Sequence, residues 1–398
     1  MKQIYPPDIT GKSFASGGSV LDHSFGKSDP YTLGVEEEYM LLDGETFDLV
    51  QHVEAVLEAA YGGEYERRVN PELMQSVLEI ATPVCRTATE VEDELRQLRT
   101  YVTGIARERG MRVGSAGTHP FSLFERQRIT ARDRYRHLVD QLQYVARREL
   151  IFGLHVHVAV DDCERAIQVV NGLLARLPAF LALSANSPFW RGEPTGLASS
   201  RQMVFAAFPR SGPPPRFKDY NDYAEVVGQL EKTGCIADYT HIWWDIRLHP
   251  RFGTVEIRVC DAVTRVEDAV ALAAFCQSLV KLYSERHAIG AEIPSYHRIL
   301  TTENKWLAAR YGLEAPVMDL ATGRRNRVPV AQLVRRTLRE LEPHARELGC
   351  DPELEGISEI LAKGNGSDRQ RRIWNANRDI VEVVREIAEA TEPAAVPA

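Results

Sequence analysis

The sequence predicts an α+β fold, because its strand-like and helix-like segments occupy different parts of the chain. Segments with the two-residue alternation of strands are concentrated before residue 261. From Arg265 onward the pattern is almost entirely helical, with breaks at Pro294, Pro316 and Pro343. A regular βαβ repeat would distribute strands along the whole chain, so the segregation favours α+β.

The individual elements follow from periodicity and from turn residues. The predicted strands cover 32–42, 77–82, 111–115, 152–160, 245–249 and 253–260. The predicted helices before residue 261 cover 52–60, 88–109, 132–150, 163–177 and 219–232. Asp43-Gly44 closes the first strand, and Thr89 and Gly110 are the expected N-cap and end of the long second helix. The Pro- and Gly-rich stretch 186–217 is expected to be a functional loop.

Composition bounds the class of protein. The chain has 398 residues, with 48 Lys+Arg against 56 Asp+Glu, a net charge of −8. This acidic excess argues against a nucleic-acid partner. We find no repeat and no internal linker, so we expect a flexible leader over 1–30, one catalytic domain over 31–392 and a loose tail over 393–398.

Two further patterns bear on location. No uninterrupted apolar run approaches the roughly 18 residues needed to span a bilayer, and the N-terminus lacks the apolar stretch of a signal peptide. The six cysteines include no CxxC pair, which is typical of reduced, mostly buried thiols. We therefore expect a cytoplasmic protein without a membrane partner.

The most informative feature is a set of charged side chains that share strand faces. Residues i and i+2 of a strand point to the same side. Three pairs follow this rule, each opposite an apolar face: Glu36 and Glu38, His155 and His157, and Glu256 and Arg258. Two further carboxylates, Glu72 and Glu79, flank a predicted turn and strand. Glu37 lies on the apolar side of its strand and is expected to pair with a cation.

Carboxylates gathered on one face repel one another unless a cation neutralises them. Mg²⁺ or Mn²⁺ fits best, since hard divalent cations prefer oxygen ligands with an occasional imidazole. Five carboxylates exceed the needs of one ion, so the pattern indicates two or three ions and a bound polyphosphate. An ordinary antiparallel sheet with half-solvated strands would explain any single segment. The zinc motif HExxH, the phosphate loop GxxxxGK[ST], GxGxxG and GxSxG are absent.

Several segments in order resemble a known family. They are GVEEEY, the Glu72–Glu79 segment ending in LEIAT, GTHPF, GLHVHV, SANSPFW, TGLASSR, WWDIRLHPRFGTVEIRVCD and RQRR. Together they are similar to the carboxylate–amine ligases (type-2 glutamate–cysteine ligase, YbdK-like) of the glutamine synthetase superfamily, over about residues 31–392.

The resemblance implies a curved, mainly antiparallel sheet that is covered by helices and has its active site on the concave face. It implies an ATP-dependent ligase that phosphorylates a carboxylate, typically the γ-carboxyl of glutamate. An amine, such as that of cysteine, then displaces phosphate, giving γ-glutamylcysteine and ADP. The implied cofactors and substrates are ATP, two or three Mg²⁺ or Mn²⁺ ions, and small molecules. A homo-oligomer is possible.

The resemblance also assigns roles to residues. Glu36, His155 and Glu256 would bind the metal nearer the nucleotide, and Glu38, Glu72 and Glu79 the metal nearer the carboxylate substrate. Arg258 would meet the transferring phosphoryl group, so we count Arg258 and Glu79 as catalytic. His157 would contact phosphate or nucleotide. The remaining candidates, for ATP phosphates or a substrate carboxylate, are Arg251, Arg201, Arg247 and Tyr135. For each of these a structural hydrogen bond or ion pair is the competing interpretation.

Three other functions stay open at this point. The ligase could act on a different amine or acid, because the acceptor is read by loops such as 186–217. A binding or regulatory paralogue without turnover would keep the fold. It need not keep all six of the charged side chains that match the family: Glu36, Glu38, Glu79, His155, Glu256 and Arg258. A metal-dependent phosphohydrolase would release phosphate without an amine.

Overall fold

A computed structural model describes residues 21–322 and 326–393. Its strands are β1 Leu33–Asp43, β2 Val69–Pro71, β3 Val77–Ala81, β4 Met111–Gly114, β5 Gly153–Ala159, β6 Phe189–Trp190, β7 Glu193–Pro194, β8 Ser211–Gly212, β9 Trp243–Trp244, β10 Ile246–His249, β11 Thr254–Asp261, β12 Pro316–Met318 and β13 Arg327–Pro329. All six predicted strands are present, each within two residues of its expected ends.

Helices account for most of the remaining described chain. They are α1 Val53–Ala60, α2 Ala88–Glu108, α3 Asp133–Leu142, α4 Tyr144–Arg147, α5 Cys163–Leu173, α6 Leu177–Ser184, α7 Arg201–Phe205, α8 Tyr220–Lys232, α9 Val266–Ala288, α10 Arg298–Tyr311, α11 Val330–Leu348, α12 Asp351–Lys363, α13 Gly366–Asn377 and α14 Ile380–Thr391. The five helices from α10 to α14 confirm the helical C-terminal third.

One antiparallel sheet organises the molecule. Its strand order is β10-β11-β5-β1-β3-β2, and β4 pairs with the far half of β1. Strands distant in sequence are therefore neighbours, as in an α+β fold rather than a βαβ repeat. The predicted fold class is confirmed.

The two faces of the sheet differ in chemistry. Val35, Tyr39 and Leu41 of β1 point to one side, where they join a large apolar core with residues of α2, α5 and α9. Burial of this face supplies the main driving force for folding. Glu36 and Glu38 point to the other side of the same strand. On that side Met40 and Leu42, in the second half of β1, pack with α14 in a smaller apolar core, so the charged side chains occupy the part of the face around Glu36 and Glu38.

Four helix boundaries differ from the sequence prediction. One is the break expected at Pro343, which lies inside α11 without ending the helix. The N-cap of α2 is Thr87, whose side chain accepts a hydrogen bond from the main-chain N–H of Glu90, and not Thr89. The predicted helix 132–150 is divided at Gln143, where φ is +50°. The helix predicted to end near Pro178 instead begins again there, because proline is tolerated in the first turn of α6.

The predicted leader over 1–30 requires a correction, although its first 20 residues lie outside the described chain. The main-chain N–H of Ser24 donates to the carbonyl of Pro250 at 2.7 Å, and Phe25 is only 7% exposed. Gly253 has a φ of +69°, and a Cβ there would lie 2.5 Å from the carbonyl oxygen of Ser24. Ser24 and Phe25 therefore pack against the β10–β11 turn, whereas residues 26–30 are exposed. Sequence pattern missed this because the contacts are long-range.

We expect the Phe25→Ala variant to lose about 3 kcal/mol of stability, the low end of the range for a buried phenylalanine. The Phe25 ring contacts the rings of His23 and Tyr220, so its removal leaves a cavity beside these two rings. Chemical denaturation measures the loss. His52→Ala, a change at an exposed position outside this contact, serves as the control. Equal midpoints for Phe25→Ala and the parent protein would contradict the packing described here.

One long apolar helical segment, Cys163–Ser184, lies inside the protein. Cys163–Ser184 is long and apolar enough to cross a membrane, but 94% of its most apolar window is buried inside the protein. It therefore serves as a core element between the sheet and the C-terminal helices. The six cysteines are all free thiols.

Candidate active site

The charged face of the sheet gathers two clusters of metal-ligating side chains. In the first cluster, one carboxylate oxygen each from Glu38, Glu72 and Glu79 lie within 4.8 Å of one another. In the second, an imidazole nitrogen of His157 and one carboxylate oxygen each from Glu36 and Glu256 lie equally close together. The first cluster is the predicted set. The second contains His157 where the sequence analysis expected His155.

Strand register explains both clusters. Glu38 lies directly opposite Glu79 across the β1–β3 ladder. Glu36 lies opposite His155 across β1–β5, and His157 lies opposite Glu256 across β5–β11. Directly opposed side chains have Cβ atoms about 5 Å apart. The antiparallel sheet therefore brings together residues that are up to 220 positions apart in the sequence.

His157 is held so that one ring nitrogen faces the carboxylates. Its Nδ1 lies 3.0 Å from the hydroxyl of Thr254. Its Nε2 lies 3.6 Å from Glu36 Oε1 and 3.7 Å from Glu256 Oε1, is shielded from solvent, and has no hydrogen-bond partner among the described residues. An orphaned imidazole nitrogen between two carboxylates fits a divalent cation. His155 Nδ1 lies 3.2 Å from Glu36 Oε2, so His155 borders the same cluster.

The first cluster is electrostatically frustrated without a cation. Burial raises the pKa of Glu79 well above its usual range, and the charges of Glu36, Glu72 and Glu38 add to this. Burial together with the charge of Glu72 raises the pKa of Glu38 to about 7. Side chains that resist ionisation while facing one another are the arrangement that a bound Mg²⁺ or Mn²⁺ would stabilise.

The carboxylates of the second cluster already have cationic neighbours. Burial opposes ionisation of Glu256, but the charges of Arg247 and Arg258 outweigh it and hold its pKa well below the usual range. Burial also opposes ionisation of Glu36, but the neighbouring imidazoles of His155 and His157 outweigh it and hold its pKa well below the usual range. This cluster is thus ionised at neutral pH, which suits a site for a metal and phosphate oxygens.

A β-bulge positions Arg258. The β11–β5 register shifts between Ile257 and Cys260, so two residues of β11 face one of β5. Bulges redirect side chains beside active sites. The main-chain N–H of Arg258 donates to the carbonyl of Asp245 at 2.9 Å, and its guanidinium contacts Glu256. Arg258 therefore reaches the boundary between the two clusters.

Gly153 allows several groups to converge. Its main-chain N–H donates to Glu38 Oε2 at 2.5 Å. A Cβ there would lie 2.5 Å from Arg201 Nη2 and 3.0 Å from His155 Nε2. The absent side chain thus makes room for Arg201 and His155 to lie against the strand.

A cavity that is partly open to solvent lies beside the first cluster. Charged side chains line one part of it and apolar side chains the rest: Glu38, Glu72, His155, Arg201, Arg258 and Glu149, with Leu73, Met74, Val77, Ile151 and Phe205. This mixture of side chains suits a ligand with both charged ends and methylene groups.

The other predicted residues lie outside this cavity. Arg247 Nε donates to Glu256 Oε2 at 2.8 Å, and its Nη1 donates to two main-chain carbonyls, so it fixes Glu256. Tyr135 is buried and donates to the carbonyl of Pro71 at 2.7 Å, one residue before Glu72. Arg251 is exposed in the β10–β11 turn, beside Phe252, whose ring stacks on His249 at 4.1 Å.

Sequence reasoning missed Glu149 and Phe205. Glu149 follows α4 in a charged segment, where a carboxylate is typical of a solvated surface. Phe205 ends the short helix α7 inside the loop 186–217. Neither lies on a strand with alternating pattern, and only the tertiary fold brings them to the cavity.

The comparisons with known proteins agree with this geometry. The model of glutamate–cysteine ligase family 2 matches residues 32–390. A Rubrobacter xylanophilus protein named "Putative glutamate--cysteine ligase 2-1" is 45% identical over 364 residues, which cover 92% of this chain and 96% of the relative. A relative from Solibacter usitatus, named "Putative glutamate--cysteine ligase 2", is 42% identical over 361 residues. These residues cover 91% of this chain and 93% of the relative.

Two solved structures share the fold. A glutamate–cysteine ligase from Francisella tularensis in complex with AMP has a TM-score of 0.66 at 13% identity, covering 93% of this chain and 91% of the other. A bifunctional glutathione synthetase from Pasteurella multocida has a TM-score of 0.65 at 16% identity, covering 91% and 52%. The resemblance drawn from the sequence is confirmed: the chain belongs to glutamate–cysteine ligase family 2 and is an ATP-dependent ligase of the glutamate–cysteine ligase type.

Proposed function

We propose that this ligase phosphorylates the γ-carboxylate of glutamate with ATP and joins the resulting acyl phosphate to the amine of cysteine. The observation that carries the proposal is the pair of ligand clusters on one sheet face, with Arg258 between them and a cavity beside one of them. Phosphoryl transfer requires charge neutralisation and alignment more than covalent chemistry. Two cation sites and an arginine supply both.

The roles of the residues follow from their positions. Glu36, His157 and Glu256 would hold one divalent cation, with His155 bordering it, and Glu38, Glu72 and Glu79 would hold the other. Bound Mg²⁺ or Mn²⁺ would neutralise phosphate and carboxylate oxygens. Arg258 donates to the transferring phosphoryl group, and Arg247 keeps Glu256 oriented. Arg201 binds a substrate carboxylate in the cavity, and Tyr135 keeps the segment that carries Glu72 in place.

Arg251 and the stacked rings of His249 and Phe252 lie at the end of the site away from the cavity, next to His157. We assign this end to ATP, since an exposed arginine and aromatic rings suit phosphates and a purine. We further propose that residues 31–392 act as one catalytic domain in the cytoplasm. Its partners would be small molecules and further copies of the same chain, without nucleic acid or membrane.

An acceptor screen tests the function. ATP, Mg²⁺ and glutamate are held constant while ADP release is measured across amino acids and polyamines. We expect ADP to form with cysteine and only when acid and amine are both present. Phosphate release without any amine would indicate a phosphohydrolase, and preference for another amine would reassign the acceptor. Absence of nucleotide turnover with every combination would contradict the proposal.

Mg²⁺ binding should depend on pH. The raised pKa values of Glu38, about 7, and Glu79 mean that both are largely protonated at pH 6 without a metal. The ion requires the carboxylate forms, so affinity should rise at least ~10-fold from pH 6 to pH 8. Acids with a raised pKa also make the metal-free fold less stable as pH rises from their unfolded pKa to their folded pKa. Added Mg²⁺ should therefore raise the melting temperature more at pH 8.

Isothermal titration in buffers of different ionisation enthalpy measures the protons released on binding. The Glu38→Gln, Glu79→Gln double variant, which cannot release them, is the control. Binding that is equally tight at pH 6 and pH 8 and releases no proton would count against the cluster as a metal site.

A further inference from the structure

Glu149 places a carboxyl group in the cavity, and no side chain of the described residues pairs with it. It lies between α4 and β5, and its Oε2 is shielded from solvent with no hydrogen-bond donor in the described part of the chain. No ion pair of the described residues includes it. Burying a carboxylate without a donor is costly, so such a group in a pocket points to a ligand that completes it.

Arg201 presents the opposite charge to the same cavity. Its side chain is 3% exposed, and its guanidinium donates only to the carbonyls of Val259 and Arg258, both at 3.4 Å. Its Nε has no acceptor among the described residues. A buried guanidinium normally pairs with a carboxylate in bidentate geometry, and no described carboxylate forms an ion pair with this one. The cavity thus holds an incompletely paired guanidinium and a carboxyl group that no described residue contacts through a hydrogen bond.

The two groups influence each other without forming an ion pair. Burial raises the pKa of Glu149 to about 8, the charge of Arg201 opposes that shift, and the charge of Glu38 adds to it. An ordinary structural salt bridge would bring the two side chains within 4 Å. The two side chains form no such pair although both line the same cavity, so a molecule that carries both an anion and a cation would complete them.

We propose that Glu149 binds the α-ammonium group of the acid substrate, while Arg201 binds its α-carboxylate. This inference rests on the proposed function. An α-amino acid carries an ammonium group and a carboxylate on one carbon. It can therefore pair with Glu149 and Arg201 at the same time. Leu73, Met74 and Val77 of the cavity wall contact the methylene groups, and the distal carboxylate reaches toward Glu38 and Glu72. Glu149 is thus a specificity residue for α-amino dicarboxylic acids.

The test compares glutamate with glutarate, which lacks only the α-ammonium group. Hydroxylamine replaces the natural amine, so hydroxamate formation reports acyl phosphate whatever the true acceptor. We expect wild type to prefer glutamate. Glu149→Gln should lower kcat/KM for glutamate by roughly 10- to 100-fold, the loss of one charge-assisted contact, and leave glutarate within about 3-fold. Glu389→Gln, at an exposed position in α14, is the control.

The outcomes separate this inference from the proposed function. Retained preference for glutamate in Glu149→Gln, or equal use of both acids by wild type, would overturn the role of Glu149 while the ligase activity stands. If the preference for glutamate is unchanged in the hydroxylamine assay and a separate ADP-release assay with cysteine shows a raised KM for cysteine, Glu149 contacts the acceptor instead, which also overturns the assignment. Turnover of glutarate by the variant shows that it is folded. No hydroxamate from any acid would overturn both proposals.

Discussion

Glu79→Gln should lower kcat of the ligase by at least ~10²-fold, on the scale of a lost electrostatic contact to developing charge. Glu79 is 7% exposed and lies directly across the β1–β3 ladder from Glu38. The amide keeps the size of the carboxylate but removes the charge that a divalent cation requires. Because burial and three acidic neighbours disfavour the ionised form, the metal-free protein should not lose stability and can become more stable.

Two measurements distinguish a lost metal ligand from a damaged fold. ADP release under saturating ATP, glutamate and cysteine gives kcat, and calorimetry without metal gives the melting temperature. Glu389→Gln should leave both unchanged. Mn²⁺ binding followed by electron paramagnetic resonance should lose one site in Glu79→Gln and keep the other. Turnover close to that of wild type would contradict the assignment of Glu38, Glu72 and Glu79 to a metal.

Local sequence pattern was sufficient to place Glu36, Glu38 and Glu79 on charged strand faces, whereas the grouping of Glu38 with Glu72 and Glu79 came from the family resemblance. Alternation in β1 places Glu36 and Glu38 on one face wherever the strand lies. The flanking apolar residues Leu78 and Ile80 do the same for Glu79. Buried carboxylates repel one another unless a cation neutralises them. A shared cation site for these strand faces could therefore be expected before the strand pairing was known.

The choice between His155 and His157 could not be predicted from residues alone. Both share a face of β5, and which one completes a cluster depends on the register with β11 and on ring orientation. Thr254 directs Nε2 of His157 toward Glu36 and Glu256. The role of Glu149 depends in the same way on where the segment after α4 meets the sheet.

Arg99→Met should cost about 3–5 kcal/mol of stability, the range for removing one partner of a buried ion pair. Arg99 of α2 is 0% exposed and bonds Glu37 through two nitrogens, Nε at 3.0 Å and Nη2 at 2.5 Å. This pair confirms that Glu37, on the apolar side of β1, is matched by a cation. The Nη1 of Arg99 also donates to the carbonyl of Thr264 at 2.7 Å, so the same guanidinium links β1, α2 and the segment after β11.

Urea denaturation of four proteins tests the origin of this cost. The cost in Arg99→Met comes from an unpaired buried carboxylate, so adding Glu37→Met should recover much of it, since an apolar pair of similar volume replaces the ions. Arg107→Met removes an exposed ion pair from the same helix and should cost no more than about 1 kcal/mol. If the double variant were less stable than Arg99→Met, the pair would stabilise the fold through its own attraction and hydrogen bonds. Because Glu36 and Glu38 flank Glu37, a loosened β1 should also lower ligase activity before the protein unfolds.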